Sequence, residues 1–249
     1  MEKIGFTKIL IASLIMLCAF NISIYSQEKE YYVWFDSLIG PQNTGLFNGS
    51  RYVEQFRAKK GSHKYFIGPQ FQKANISYFN QPYYDIDLKY DVFENQLITN
   101  VSMVSGSSII KLIPDEVQAF SFGSIEFIRL KDSDIYKSSE SISGFYEIMM
   151  KDGPLILYKK HRKTRQDFLD QKIVYSQFKS KNEYYVFFDS IYYQINRKSD
   201  WTRLFPGSKN QVNDYYVKNK HLLKTDYDAF ILQLARKIAN ESNHKKGRK

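Results

Sequence analysis

Short runs of aromatic and β-branched residues, separated by tight-turn signals, recur along most of this 249-residue chain. Within residues 84–90, apolar and polar side chains alternate strictly, which is the two-residue period of a β-strand with one wet face. Aromatic residues, which favour strands, make up 16% of the chain. The sequence therefore predicts a mainly β protein, and its ordinary apolar and charged fractions exclude wholesale disorder and a polytopic membrane architecture.

Turn signals place hairpins between many of these runs. Gly123-Ser124 and Asp152-Gly153 each stand between two apolar runs, as do Glu94-Asn95 and Asp189-Ser190. Consecutive hairpins build an antiparallel meander, so we expect about ten strands curled into a roll or open barrel. The expected strands cover residues 31–35, 65–67, 75–79, 83–90, 92–93, 96–99, 108–113, 119–122, 125–130, 144–150, 155–159, 184–188 and 191–195.

Other stretches lack a clear strand pattern. Residues 131–143 are predicted to form a loop, because they are rich in serine and acidic residues. Residues 164–182 are polar and are predicted to be an irregular excursion. Residues 53–60 are ambiguous and are compatible with a short helical turn, and Asn48-Gly49 carries a turn signal.

The C-terminal part of the chain changes to a helical period. Residues 200–205 and 209–220 are predicted to form short helices, the first ended by Pro206-Gly207. Residues 226–242 carry the best helical stripe, formed by Tyr227, Phe230, Ile231, Leu234 and Ile238. We expect residues 197–243 to pack as a short helical segment on a β-rich domain of residues 27–196, giving an α+β protein overall. Residues 244–249 are predicted to be a basic disordered tail.

Residues 1–26 are typical of a secretory signal peptide. Lys3 and Lys8 precede an apolar run from Ile9 to Phe20 that is long enough for a signal and short for a membrane span. The expected cut lies between Ser26 and Gln27, and no transmembrane span is expected after it; a retained N-terminal anchor is the alternative. Cys18 is the single cysteine, so the chain after cleavage has no disulfide and no cysteine-based zinc site.

The formal net charge of +10 favours polyanionic partners such as acidic glycans or anionic lipids. An exported protein rarely meets nucleic acid, so we expect no nucleic-acid partner. The most concentrated basic run contains Lys159, Lys160, Arg162, Lys163 and Arg165, which are candidate contacts for an anion or a partner. The competing interpretation is a solvated strand end, since charge runs are usually only hydrated.

Spaced aromatics and glycines give the chain a resemblance to a known family. They are Leu46-Phe47-Asn48-Gly49, Tyr52-Val53, Gly61, Tyr65-Phe66, Tyr78, Tyr84, Ile86, Leu88 and Tyr90-Asp91, followed by Gly144-Phe145-Tyr146-Glu147, Asp152-Gly153 and Tyr184-Tyr185. In these positions the chain resembles a family of uncharacterised exported β-rich proteins of Gram-negative bacteria. The resemblance covers most of the mature chain and implies an envelope location, in the periplasm or at the outer membrane, without implying a reaction.

Catalytic and metal-binding patterns are sparse. The four histidines do not stand at metal-ligand spacing, and no P-loop, Gly-x-Gly-x-x-Gly or Gly-x-Ser-x-Gly motif occurs. Asp85 and Asp87 share one face of a predicted strand and could hold a cation or act as acid and base, although an exposed sheet face is the simpler interpretation. Two groups of tyrosines could form sugar-stacking platforms or simply belong to the core: Tyr78, Tyr83, Tyr84 and Tyr90, and Tyr184, Tyr185, Tyr192 and Tyr193.

The leading functional hypothesis is a non-enzymatic exported envelope protein that serves as a binding or assembly module for an envelope protein or an acidic glycan. A carbohydrate- or polyanion-binding module is the first alternative, and a hydrolase whose carboxylates come from distant strands is the second. No catalytic residue and no cofactor is assigned.

Export makes the first testable prediction. When the full chain is expressed in a Gram-negative cell, mass spectrometry of the purified protein should find Gln27 at its N-terminus, in the periplasm or with the outer membrane. An intact Met1 in the inner-membrane fraction would instead identify residues 9–25 as an anchor.

Overall fold

The computed structural model describes residues 29–103, 106–131 and 142–246, and the chain there is mainly β-strand. The strands of the first half are β1 Gly49–Arg51, β2 Gln72–Tyr78, β3 Gln81–Asp91, β4 Gln96–Met103, β5 Gly106–Leu112, β6 Val117–Phe122 and β7 Ile125–Leu130. Those of the second half are β8 Gly144–Asp152, β9 Leu155–Lys160, β10 Lys163–Asp170, β11 Ile173–Ser180, β12 Glu183–Phe188 and β13 Ile191–Gln194.

Within the described residues, eleven strands form one sheet in the order β1-β5-β4-β3-β2-β6-β7-β8-β9-β12-β13, and β10 and β11 form a separate two-stranded ribbon. Neighbouring strands in both sheets are antiparallel, and the large sheet does not close on itself. The predicted mainly β, open antiparallel architecture with a C-terminal helical segment is confirmed, with thirteen strands in the described ranges.

Tight turns connect consecutive strands where the sequence predicts them. Two-residue turns join β6 to β7 at Gly123-Ser124 and β12 to β13 at Asp189-Ser190, where both φ angles are positive, at 51° and 61°. The β8–β9 turn consists of Gly153-Pro154, with Gly153 at φ 56°. Positive φ matches the right-handed twist of the flanking strands, which is why these short turns set the register.

One buried core is built from side chains of β2–β8. Phe120 and Phe127 stack with their ring centroids 4.6 Å apart and their planes at 7°, and the rings of Tyr90 and Phe145 meet them edge-on. These four side chains expose at most 3% of their surface. The strand-favouring aromatics of the sequence thus supply the core of the first half of the sheet.

A second core joins the sheet to the C-terminal helices. These are α2 Lys198–Leu204, α3 Lys209–Lys218, α4 Lys220–Thr225 and α5 Tyr227–Lys246. Asp226 caps α5, because its Oδ1 accepts the backbone N–H of Ala229 at 2.9 Å. The predicted stripe is confirmed, since Phe230, Ile231, Leu234 and Ile238 are fully buried in the same core as Leu157 and Val186 of the sheet.

The predicted first strand at residues 31–35 is wrong. Residues 29–39 form a helix, α1, in which Tyr31, Trp34, Phe35 and Leu38 stand at i, i+3, i+4 and i+7 and remain exposed. The five consecutive apolar residues do not alternate with polar ones, and such a short run fits a helix as well as a strand. In a helix the backbone N–H and C=O groups bond to one another, so this segment needs no neighbouring strand.

The predicted irregular excursion at residues 164–182 is also wrong. Strands β10 and β11 pair in unbroken register from Lys163–Ser180 to Asp170–Ile173. The turn between them is Gln171-Lys172, with φ angles of 45° and 65°. Much of the ribbon is exposed to solvent, so its sequence is polar. Apolar and polar residues therefore alternate too weakly to indicate strands.

Four smaller expectations also change. The predicted strand at residues 65–67 is only an isolated bridge between Tyr65 and Asp91, and residues 92–93 belong to the turn between β3 and β4. Asn48-Gly49 does not close a hairpin: Asn48 ends the 3₁₀ turn Gly45–Phe47, and Gly49 begins β1. A Cβ on Gly49 would lie 2.4 Å from the carbonyl oxygen of Lys111, so glycine permits the close approach of β1 to β5. Residues 53–60 are not helical, and Ala58 forms a parallel bridge with Ser176 of β11.

Several expectations lie wholly or partly outside the described residues. The signal peptide of residues 1–26 and its cleavage site are outside them, as are residues 132–141 of the predicted loop and residues 247–249 of the predicted tail. Residues 244–246 of that tail continue α5. None of the helices in the described ranges has both the length and the apolar character needed to cross a bilayer.

The second core makes a stability prediction. Phe230→Ala should lower the free energy of unfolding by about 3–5 kcal/mol, because it leaves a cavity in a fully buried site. Urea denaturation monitored by circular dichroism measures the loss. Val217→Ala on α3 is the control, since Val217 is 63% exposed and its truncation should change stability by less than about 0.5 kcal/mol. Similar losses for both variants would contradict the docking of α5.

Candidate functional site

The predicted basic run does not form one cationic patch. Lys159 and Lys160 are neighbours at the end of β9 and therefore point to opposite faces of the sheet. Both are buried. The Nζ of Lys159 donates to Asp228 of α5 at 2.5 Å, and that of Lys160 donates to the carbonyl of Ser143 at 3.0 Å.

The remaining cations of the run are bound to the protein as well. Arg162 pairs with Glu183 at 2.8 Å, and Arg165 Nε lies 3.3 Å from Asp167. Lys163 donates to the backbone carbonyls of His63 and Tyr65, both at 2.7 Å. Each of the five predicted contact residues thus has an internal partner. Sequence reasoning missed those of Lys159, Lys160, Arg162 and Lys163 because these partners lie on other elements, whereas Asp167 stands only two residues from Arg165.

The predicted tyrosine platforms are mostly core. Tyr78, Tyr83 and Tyr90 expose no more than 2% of their surface, and Tyr184 and Tyr185 are also buried. Their hydroxyls are used inside the protein: that of Tyr83 accepts the N–H of Gly45 at 3.1 Å, and that of Tyr184 donates to Asp228 at 2.6 Å. The interpretation of these rings as core is confirmed.

The predicted Asp85–Asp87 pair is split between two lysines. A β-bulge interrupts the β2–β3 register here, and Asp85 has a positive φ of 54°. Asp85 pairs with Lys29 and Asp87 pairs with Lys73, each at 2.8 Å. No group of three or more His, Cys, Asp or Glu side chains in the described ranges is arranged to hold a metal ion.

A half-buried histidine–carboxylate pair joins the residue after β9 to β8. His161 Nε2 is 2.5 Å from Glu147 Oε2, and the two side chains expose 10% and 19% of their surface. The imidazole packs edge-on against the ring of Phe66, with centroids 4.7 Å apart. A carboxylate can orient an imidazole as a base, but here aromatic rings occupy the space beside it, so we assign the pair to packing.

The densest group of charges is buried beneath residues 52–66, which we call the anchor segment. Lys64, with 3% of its side chain exposed, contacts Asp91 at 2.9 Å and Glu54 at 3.0 Å. Asp91 is fully buried and also accepts the N–H groups of Phe93 and Glu94, both at 3.1 Å. Tyr52 and Tyr65 donate their hydroxyls to Glu54.

Ion pairs outweigh burial at Lys64 and Glu54, whereas burial prevails at Asp91 and raises the pKa of that carboxyl despite its contact with Lys64. Burial opposes the charge of Lys64, but its bonds to Asp91 and Glu54 hold the pKa of Lys64 above its ordinary value. Burial likewise opposes ionisation of Glu54, yet the hydrogen bonds from Tyr65 and Lys64 lower the pKa of Glu54 to about 2. The contacts of Lys64 with Glu54 and Asp91 hold an anchor segment that has almost no regular secondary structure.

The anchor segment holds the β10–β11 ribbon. Its backbone pairs with Ser176 through Lys59 N–H to Ser176 O at 2.9 Å and Ser176 N–H to Arg57 O at 2.8 Å. The hydroxyl of Ser62 accepts the N–H of Phe178 at 2.7 Å. The ring of Phe178 packs against Phe56 and Phe93, with centroids 5.9 Å and 5.4 Å away.

The ribbon ends in exposed apolar side chains. Leu169 is 75% exposed and its cross-strand partner Val174 is 56% exposed, while Ile173 beside the turn is 38% exposed. We call residues 168–175 the ribbon tip. The tip was not predicted from the sequence, because Leu169 and Ile173-Val174 are very short apolar runs inside a polar stretch. Their position on either side of a turn was nevertheless a usable signal.

Three exposed cations stand at this tip. Lys172 lies in its turn, Arg57 lies over the ring of Tyr175 at 5.9 Å, and Lys59 lies over the ring of Phe168 at 5.1 Å. Asp167 and Asp170 are exposed acids of the same ribbon, so the cations are in excess. Among the described strands, only β11 pairs with β10. The ribbon is thus a separate two-stranded element with an apolar tip and an excess of positive charge.

Comparisons of the chain with protein-family models, with curated proteins and with solved structures found no match. The function is therefore argued from the geometry of the chain itself.

The buried ion pair makes a prediction. Lys64→Met leaves the Asp91 carboxylate buried without its cation and should lower the free energy of unfolding by about 3–5 kcal/mol. The double variant Lys64→Met/Asp91→Leu should recover part of this loss, because it removes both charges. Urea denaturation of each variant provides the measurement.

Lys73→Met is the matched control. Lys73 Nζ lies 2.8 Å from Asp87, close to the 2.9 Å between Lys64 Nζ and Asp91, but 68% of the Lys73 side chain is exposed. Its loss should cost less than about 1 kcal/mol. Equal effects at Lys64 and Lys73 would show that the buried pair does not hold the anchor segment.

Proposed function

We propose that this chain is a non-enzymatic exported envelope protein of a Gram-negative bacterium, and that it acts as a binding module which attaches to anionic lipid surfaces through the β10–β11 ribbon. The signal-like N-terminus and the family resemblance support the location. The exposed apolar tip within a basic ribbon is the observation that carries the binding role.

The apolar tip supports insertion into the lipid interface. Leu169 and Val174 form a cross-strand pair on one face of the ribbon, and Ile173 lies on the other face. Removing the exposed parts of Leu169 and Val174 from water contributes about 2–4 kcal/mol. Aliphatic side chains gathered at the end of a narrow element can enter a bilayer interface without burying the rest of the domain.

The cations support selection of anionic lipid. Each lysine or arginine near a negatively charged membrane surface contributes about 1 kcal/mol, and this attraction falls off within a Debye length. Neither contribution alone gives firm attachment, and the two together give reversible binding that salt weakens. Lys159 and Lys160 of the predicted run are buried, and Lys163 is bonded to the anchor segment. The binding role therefore falls to the exposed cations at the tip, which are Arg57, Lys59 and Lys172.

Vesicle binding tests the proposal. The mature chain should sediment with vesicles containing phosphatidylglycerol and not with pure phosphatidylcholine vesicles. Its partition coefficient should fall when ionic strength rises from about 0.05 M to about 0.5 M. The variant Leu169→Thr/Val174→Thr should bind about tenfold more weakly, because threonine keeps the strand preference but removes the apolar surface. Lys59→Gln/Lys172→Gln should weaken binding to anionic vesicles as well.

Val217→Thr/Lys218→Gln is the matched control, since it removes one exposed apolar and one exposed basic side chain from α3. Equal loss in this control would contradict the role of the ribbon. So would unchanged binding of the tip variant, or binding to an acidic polysaccharide without binding to vesicles, which would favour a polyanion-binding module.

A further inference from the structure

A cleft lies between α1 and the turn that joins β2 to β3. Its volume is about 340 Å³, and it is lined by Tyr31, Tyr32, Phe35, Phe79, Asn80 and Gln81, with Pro82 at one side. The helix contacts the sheet through the exposed Lys29–Asp85 ion pair of 2.8 Å and through Tyr32, whose ring centroid lies 6.4 Å from that of Tyr84. The helix thus forms one wall of the cleft and the turn forms the other.

Aromatic rings that line this cleft face water. Tyr31 is 60% exposed, and Phe35 and Phe79 are 37% and 40% exposed; Trp34, which contacts Tyr31 but is outside the lining, is 56% exposed. Tyr31 and Phe35 lie nearly parallel, at 16° with centroids 6.5 Å apart, and Trp34 is 6.1 Å from Tyr31. Exposed aromatic groups of this kind mark binding sites, because burying their faces against a ligand releases water.

The turn presents Phe79 at a conformational cost. Phe79 and Asn80 form a two-residue turn with φ angles of 51° and 59°, a conformation that favours glycine, asparagine or aspartate. The N–H of Phe79 donates to the carbonyl of Glu116 at 2.9 Å, which holds the bulky residue there. Backbone strain of this type persists where the surrounding structure enforces it, and it is concentrated at ligand sites.

Polar groups of the cleft are uncharged. The side-chain amides of Asn80 and Gln81 form no hydrogen bond with the rest of the described chain and can donate to and accept from a ligand. No acidic or basic side chain is among the residues that line the cleft. An acidic ligand would find no cation here, in contrast to the ribbon.

We propose that this cleft binds a neutral glycan. The C–H face of a pyranose ring is apolar and stacks on the rings of Tyr31, Phe35 and Phe79, while its hydroxyls bond to the amides of Asn80 and Gln81. The volume lies at the lower end of the range for small-ligand sites, as a short stretch of a sugar chain requires. This site is built from other residues than the ribbon and does not depend on lipid binding.

The two tryptophans of the chain provide the measurement. Trp34 is 56% exposed next to Tyr31, whereas Trp201 is fully buried in the core with the C-terminal helices. Titration of the mature chain with cellohexaose, maltohexaose or chitohexaose should change the emission of Trp34 in a saturable way with at least one of the three. Trp34→Phe should abolish the change, which assigns it to this residue.

Phe79→Gly is the decisive variant. Glycine accepts the positive φ, so the variant should keep its fold while losing the ring, and sugar affinity should fall about tenfold. Tyr31→Ala, on the exposed face of the helix, should weaken binding similarly. Leu169→Thr is the matched control, because it removes an exposed apolar side chain from the ribbon tip and should leave sugar binding unchanged.

Three outcomes would overturn the proposal. The first is that none of the three hexasaccharides changes the emission of Trp34. The second is that Phe79→Gly binds sugar as well as the original chain does. The third is that the emission of Trp34 changes with neutral lipid vesicles or with protein concentration instead of with sugar, and that Phe79→Gly abolishes this change. A response to vesicles would assign the cleft to a membrane, and a response to protein concentration would assign it to a second copy of the chain. Loss of vesicle binding in the ribbon variants tests the other site separately.

Discussion

The ion pair between Lys64 and Asp91 is the interaction on which the rest of the surface depends. It lies beneath a stretch of fifteen residues, 52–66, that lacks regular secondary structure, and it joins that stretch to the end of β3. Two buried charges have a high desolvation cost, which the carboxylate of Glu54 and the backbone N–H groups on Asp91 reduce, although burial still raises the pKa of Asp91. The ribbon in turn is bonded to this stretch, so one buried pair determines where the exposed apolar tip stands.

The positive charge of the chain is divided between two roles. The most concentrated basic run in the sequence serves the interior: Lys159 and Lys160 bond to groups on opposite faces of the sheet, and Lys163 fastens the start of β10 to the anchor segment. Exposed cations occur on the ribbon, on the anchor segment and on the C-terminal helices, and Arg162 and Arg165 of the run are among the exposed residues. Density of charge along the sequence therefore did not show which cations are exposed, because alternate residues of a strand face opposite ways.

The sequence was most informative where side-chain period and turn chemistry agree. The hairpin at Gly123-Ser124 and the stripe from Tyr227 to Ile238 were predictable because a two-residue turn or a helical period leaves few alternatives. The helix at residues 29–39 was not, since Tyr31–Phe35 is apolar throughout and carries no period. The ribbon was missed because its strands are wet on much of both faces. The Lys64–Asp91 pair lies beyond any local pattern, because its two members are brought together only by the fold.

The attachment of the ribbon also bears on how the chain reaches its native state. The hairpins of the large sheet close over a few residues each, and such local steps take microseconds. The bond between Ser62 and Phe178 joins residues that are 116 positions apart, and the ribbon has no strand neighbour other than this segment in the described chain. Closing so long a loop costs more conformational entropy than closing a hairpin, so this contact is expected to form after the local ones. A chain released N-terminus first would therefore hold the backbone of the anchor segment without its ribbon partners until β11 has emerged, whereas Lys64 and Asp91 can pair as soon as β3 has formed.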